Sequence, residues 1–131
     1  ARARIPEWLH ERIEFATGDM LSDALGRFDH VLAMDSMIYY EAPDLGQALA
    51  NLAGRTTHSI VFTVAPRTPF LLAFFAAGKL FPRSDRSPTM IPHAPRRIAR
   101  ETALKGGTGS VAQVGRVSRG FYISTCLEYR A

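Results

Sequence analysis

The apolar run Val31, Leu32, Ala33, Met34 stops on an acid, and Asp35, Ser36, Tyr39 and Tyr40 follow at once. Polar side chains gathered beyond the carboxyl end of a strand suit ligand binding, because loops at that edge of an open α/β sheet can carry polar groups while the sheet stays apolar. A tyrosine hydroxyl there can donate a hydrogen bond to a carboxylate but cannot serve as a base near pH 7. Asp35, Ser36, Tyr39 and Tyr40 are therefore the first candidate site residues. A second acid, Asp19, closes the stretch FATGDM, in which Gly18 turns the chain and Met20 offers an apolar surface. A carboxylate so placed accepts a hydrogen bond from an exocyclic amino group such as that of adenine, with Met20 or Leu21 beneath the ring. Plainer readings stand beside these. Taken alone, Asp19 is better explained as the cap of the turn that follows. Tyr39 or Tyr40 packing over a helix start is as good a reading for either residue singly.

These residues need elements to hold them. Consecutive apolar residues in Phe28 to Met34 read as a strand of a parallel sheet, buried on both faces. Arg12 to Met20 reads as another strand through Ile13 and Phe15, which would set Asp19 and Asp35 at adjacent sheet tips facing one crevice. Leu45, Ala48, Leu49, Leu52 and Ala53 form one helical stripe behind Pro43, with Gly54 as its stop. His58 to Ala65 is again a buried strand, broken by Pro66, so strand, helix and strand make a right-handed crossover of parallel strands. Phe70 to Leu80 reads as a helix apolar on nearly every side, and Phe81 to Pro95 as a proline-rich loop. Pro95 to Lys105 can form a helix that Gly106, Gly107 and Gly109 break. KGGTGS is a linker turn and not a phosphate loop, since no strand leads into it. Val111 to Ser118 and Phe121 to Tyr129 make an antiparallel hairpin.

With 131 residues, 47% of them hydrophobic, there is material for one core and not for two. One cysteine, Cys126, excludes an internal disulfide framework, and four scattered histidines argue against a structural zinc site, so no protein-bound metal is expected. A reducing cytoplasm fits. The longest apolar run, Phe70 to Ala77, is short of the ~20 residues that span a bilayer. Charge is uneven: Ala1 to Pro66 carries five basic and nine acidic residues, Arg67 to Ala131 eleven basic and three acidic. The second half is thus suited to an anionic partner, or simply solvated by arginine, which supplies fourteen of the sixteen basic residues. Nucleic acid is the least fitting anion, because the basic segment is interleaved with prolines and an apolar helix and lacks a recognition-helix pattern. Ala1 to Leu9 reads as the end of a helix whose start is absent, so truncation at the amino end is expected.

A parallel α/β sheet finished by an antiparallel hairpin resembles the closing part of the class I S-adenosylmethionine-dependent methyltransferase fold, a partial Rossmann-like sheet without its amino-terminal strands. FATGDM resembles the segment whose acid contacts the adenine in that fold, and FDHVLAMDSMIYY the strand and turn beside the methionine part of the cofactor. More narrowly, RFDHVLAMDSMIYY, SIVFTVAPRTP, GKLFPRSDRSP and VSRGFYISTCLEYR resemble the magnesium-protoporphyrin IX O-methyltransferases of the bacteriochlorophyll pathway. The likeness runs through essentially the whole chain.

The resemblance implies methyl transfer from S-adenosylmethionine to a propionate carboxylate of Mg-protoporphyrin IX. Gly18, Asp19, Met20, Asp35, Ser36 and Tyr40 would meet the cofactor, and Tyr39 would orient the reacting groups. Phe74, within the apolar segment, would face the macrocycle, and Arg67, Lys79, Arg83 and Arg86 would anchor the other propionate. It further implies residues 1–66 as the later part of the cofactor sheet, 67–100 as a substrate-covering helix and basic loop, and 101–131 as a helix end and closing hairpin. Handover from magnesium chelatase and peripheral contact with photosynthetic membranes also follow from the likeness. Tyr39 departs from the family pattern, where histidine tends to stand. The family's glycine-rich cofactor loop falls upstream of Ala1, so the chain alone is expected to be inactive. Alternatives are a methyltransferase for another apolar acid or phenol, and a porphyrin- or partner-binding module without catalysis.

Overall fold

The computed structural model describes residues 4–66, 90–119 and 122–130. They form a mixed sheet with two helices. The strands are β1 (Phe28–Ala33), β2 (Thr56–Pro66), β3 (Pro92–His93), β4 (Ser110–Arg119) and β5 (Tyr122–Arg130), and the helices α1 (Ala42–Ala53) and α2 (Pro95–Leu104). The sheet order is β1-β2-β5-β4, with β3 on the last two residues of β2. β1 and β2 are parallel around the α1 crossover, and β5 enters antiparallel between β2 and β4.

α1 forms where the apolar stripe predicts it. Pro43 stands in its first turn, where a missing N–H loses no helical partner, and Leu45, Ala48, Leu49 and Leu52 are buried. Gly54 follows its last residue, as expected of the stop, and keeps a right-handed φ of −60°. The end is secured further by the Arg55 N–H and the Thr56 hydroxyl, which both donate to the Leu52 carbonyl, at 3.1 and 2.7 Å. α2 begins at Pro95 and buries Ile98 and Thr102. The helices approach closely at Gly46, where a Cβ would lie 2.7 Å from the carbonyl carbon of Glu101.

The core lies between the helices and one face of the sheet: Ala33 from β1, Ile60, Phe62 and Val64 from β2, Leu127 and Tyr129 from β5, with Leu45, Leu49, Leu52, Ile98 and Met37 against them. Buried Tyr129 also satisfies its polar end, its hydroxyl accepting the Gly109 N–H at 2.8 Å, which ties the turn before β4 to the core.

Three expectations are corrected. β1 is not buried on both faces: only Ala33 is buried outright, whereas Leu32 is 68% exposed and the adjoining Met34 66%. β1 has one strand neighbour among the described residues, and the helices cover a single face, so alternate side chains meet solvent. Arg12 to Met20 forms no strand, because strand geometry requires a hydrogen-bonded neighbour and none of the described residues supplies one. Ala1 to Leu9 does not end in an α-helix; its described part holds a 3-10 turn at Glu7–Leu9 with no buried residue. The helix expected at Phe70 to Leu80 lies outside the described residues.

Candidate functional site

The site begins where β1 ends. Asp35 adopts a positive φ of 53°, the only non-glycine among the described residues to do so. A left-handed conformation brings Cβ against the following carbonyl, so it persists where neighbouring contacts enforce it. Thr63 of β2 supplies them. The Asp35 N–H donates to Thr63 Oγ1 at 2.7 Å, and the same hydroxyl donates to Asp35 Oδ1 at 2.9 Å. This reciprocal pair turns the chain sharply out of the sheet. It holds an exposed carboxylate with one oxygen engaged and Oδ2 without a described partner.

The next residues alternate between anchoring and display. Met37 and Ile38 are buried, Met37 completely, while Ser36 is exposed and Tyr39 43% exposed. Tyr40 is partly buried against the core and its N–H donates to the Met37 carbonyl at 3.2 Å. The turn is clasped from far along the chain: the Ile91 N–H donates to the Ile38 carbonyl at 2.8 Å, and His93 Nε2 lies 2.8 Å from the Tyr40 carbonyl. Asp35, Ser36 and Tyr39 are therefore the residues that the structure gathers and leaves open to a ligand.

Asp19 is placed differently. Its Oδ1 accepts the Leu21 N–H at 2.9 Å and its carbonyl the Ser22 N–H at 3.1 Å, which is the turn-capping role that the plainer reading gave it. The following loop is held by Arg55, whose guanidinium donates to the carbonyls of Met20 and Ser22 at 2.6 and 2.9 Å. Arg55 adjoins the start of β2, and its carbonyl accepts the Phe28 N–H at the start of β1. The Arg55 contacts thus tie residues 20–22 to the opening of strands whose far end carries Asp35. No described hydrogen bond joins Asp19 to Asp35, and the strand tip expected for Asp19 is not formed. Met20 turns its side chain to the core. Gly18 has a φ of 150°, a conformation that side-chain-bearing residues rarely take. Arg67, Phe74, Lys79, Arg83 and Arg86 lie outside the described residues.

Sequence reasoning missed Thr63, Arg55 and His93. Thr63 had a signal, being a hydroxyl within the apolar run IVFTVA, one strand away from Asp35. Arg55 read as one more surface arginine, and His93 as part of a proline-rich loop.

Comparison with known proteins decides the family. Residues 33–131 match the family model described as magnesium-protoporphyrin IX methyltransferase C-terminus. The chain belongs to this family. It is 55% identical over 130 residues, 99% of its length, to the magnesium-protoporphyrin O-methyltransferase of Rhodobacter capsulatus, of which it covers 56%. The protein of that name from Synechocystis is 29% identical over 115 residues, 87% of this chain and 48% of the relative. Among solved structures, Synechocystis magnesium protoporphyrin IX methyltransferase (ChlM) with bound SAH superposes with a TM-score of 0.62 at 27% identity, over 80% of this chain and 45% of that one. The chain thus spans about half the length of the relatives it matches, and its mixed sheet with two helices corresponds to part of the ChlM structure. Among the described residues no helix is long and apolar enough to cross a membrane.

Proposed function

We propose that this chain forms the carboxyl-terminal part of an enzyme that transfers a methyl group from S-adenosylmethionine to a propionate carboxylate of Mg-protoporphyrin IX. The observation that carries this reading is the 55% identity, across nearly the whole chain, to a relative named magnesium-protoporphyrin O-methyltransferase. The geometry at the end of β1 supports it.

The residues present fit the methionine end of the cofactor. Asp35 offers a free carboxylate oxygen and Ser36 an exposed hydroxyl, both on a turn made rigid by Thr63 and the Met37 anchor. When bound, S-adenosylmethionine supplies an electrophilic methyl carbon on a sulfonium. The propionate is already ionised at neutral pH, so no side chain needs to remove a proton. The carboxylate oxygen forms a bond to the methyl carbon as the carbon–sulfur bond breaks, and the electron pair stays on sulfur. Positioning then carries the reaction, and orientation of this kind contributes several kcal/mol. Exposed Tyr39 donates a hydrogen bond that aligns the carboxylate, a role its phenol can fill and that of a base it cannot.

Arg67, Lys79, Arg83 and Arg86 are assigned from sequence to the second propionate, and Phe74 to the macrocycle face. Gly18, Asp19 and Tyr40 keep their assignment to the cofactor from the family likeness alone. Handover from magnesium chelatase and peripheral membrane contact are further parts of the proposal.

The test is a chimera in which this chain replaces the matching part of the Rhodobacter capsulatus relative, supplied with labelled S-adenosylmethionine. The expected result is label in the Mg-protoporphyrin ester. Equal labelling of metal-free porphyrin or of unrelated apolar acids would overturn the substrate assignment, and no label in any acceptor would overturn the activity.

A further inference from the structure

His93 stands 53 residues beyond Tyr40 in sequence and is 3% exposed, and its imidazole meets the candidate site at a main-chain carbonyl and not at a side chain. It occupies the two-residue strand β3, paired with the end of β2 at Pro66. Its Nε2 is 2.8 Å from the Tyr40 carbonyl oxygen. A carbonyl only accepts, so Nε2 must carry the proton. The neutral ring then has its lone pair on Nδ1, which is buried with no hydrogen-bond partner among the described residues. A protonated ring would place a second donor, and a charge, at a buried position without an acceptor.

A leucine or phenylalanine would fill this place without a buried, unpartnered Nδ1, but would leave the Tyr40 carbonyl without this donor. What the imidazole adds is a single donor aimed at one carbonyl. That carbonyl belongs to the residue after Tyr39, and the carbonyl of the residue before Tyr39 accepts the Ile91 N–H at 2.8 Å. The peptide group before Tyr39 and the one after Tyr40 are therefore pinned by one short segment, residues 91–93, while the Tyr39 side chain remains 43% exposed. We propose that His93 is a positioning residue for Tyr39, its Nε2–H fixing the main chain one residue beyond the one from which the phenol projects. The inference rests on the reading of Tyr39 as the residue that aligns the substrate carboxylate.

The test exploits side-chain length. A glutamine amide nitrogen reaches about where Nε2 lies, whereas that of asparagine falls nearer Nδ1. In the chimera, His93→Asn is expected to lower kcat about 10- to 100-fold with little change in KM, the scale of a misplaced reacting group. His93→Gln should restore kcat to within about 3-fold, and His93→Asn should cost nothing further in a Tyr39→Phe background. Equal kcat for the two amide variants, or additive losses with Tyr39→Phe, would overturn the proposal. So would a fall in melting temperature with kcat intact. If the unmodified chimera transfers no methyl group, the functional reading fails by itself, and nitrogen-15 spectra of the His93 ring with carbon-13 spectra of the Tyr39 ring, in the 131-residue chain, decide the positioning. A slowly exchanging Nε2 proton, with a single Tyr39 ring environment lost in His93→Asn and kept in His93→Gln, supports it; a proton on Nδ1 refutes it.

Discussion

The Thr63 hydroxyl provides the sharpest test of how the end of β1 is built. Thr63→Val keeps the shape and removes both the acceptor for the Asp35 N–H and the donor to Asp35 Oδ1, at 2.7 and 2.9 Å. An ordinary hydrogen bond contributes roughly 0.5–1.5 kcal/mol net, and one to a charged group roughly 1.5–3. Asp35 is exposed, so water takes over much of the carboxylate's share, and the lower ends of those ranges apply. The expected loss is therefore about 1–2 kcal/mol. With an unfolding entropy of about 2.1 cal/mol/K per residue, that corresponds to a melting point lower by roughly 4–7 °C for a chain of this size. Thr63→Ser keeps both hydrogen bonds and should recover most of the loss. Asp35→Gly relieves the positive φ and makes the hydroxyl's contribution largely redundant, so in that background Thr63→Val should cost less than half as much. Urea unfolding of the parent and the four variants, followed by circular dichroism, reads these differences. If Thr63→Val shifts stability by under about 0.3 kcal/mol, or if serine behaves like valine, the interlock does not hold the turn.

Arg55→Lys should lose most of what Arg55→Met loses, about 2–3 kcal/mol, because one ammonium cannot span the Met20 and Ser22 carbonyls as the guanidinium does; limited proteolysis should then cut within residues 19–26. Gly46→Ala sets helix propensity, which favours alanine by about 1 kcal/mol, against a Cβ 2.7 Å from Glu101 backbone. The clash is with main chain and should win, leaving the variant about 1–3 kcal/mol less stable by denaturant titration. Neighbouring strand positions should differ sharply: Leu32→Gln, on the open face, is expected within about 0.5 kcal/mol of the parent. Phe62→Ala, fully buried opposite Ala33, should lose about 3–5 kcal/mol in the same titration.

Local pattern in the sequence was enough for the elements whose signals lie within a few residues of one another. The stripe from Leu45 to Leu52 specified α1, the glycines after Lys105 specified a turn, and alternating residues on either side of Gly120 specified a hairpin. The same local reading found the exposed acid and hydroxyls at residues 35–39, because an apolar run that ends on an acid is a statement about a strand tip. Strand neighbours were beyond its reach. Four consecutive apolar residues cannot say whether a second sheet face is covered, and Leu32 and Met34 lie open because cover is a property of other segments. The pairing of β5 with β2, Thr63 beneath Asp35, and the reach of Arg55 to Met20 and of His93 to Tyr40 join residues 28 to 71 positions apart in the chain. Periodicity carries no information at that range. Hydrogen bonds between distant main-chain and side-chain groups are chosen only when the packed core has brought them together.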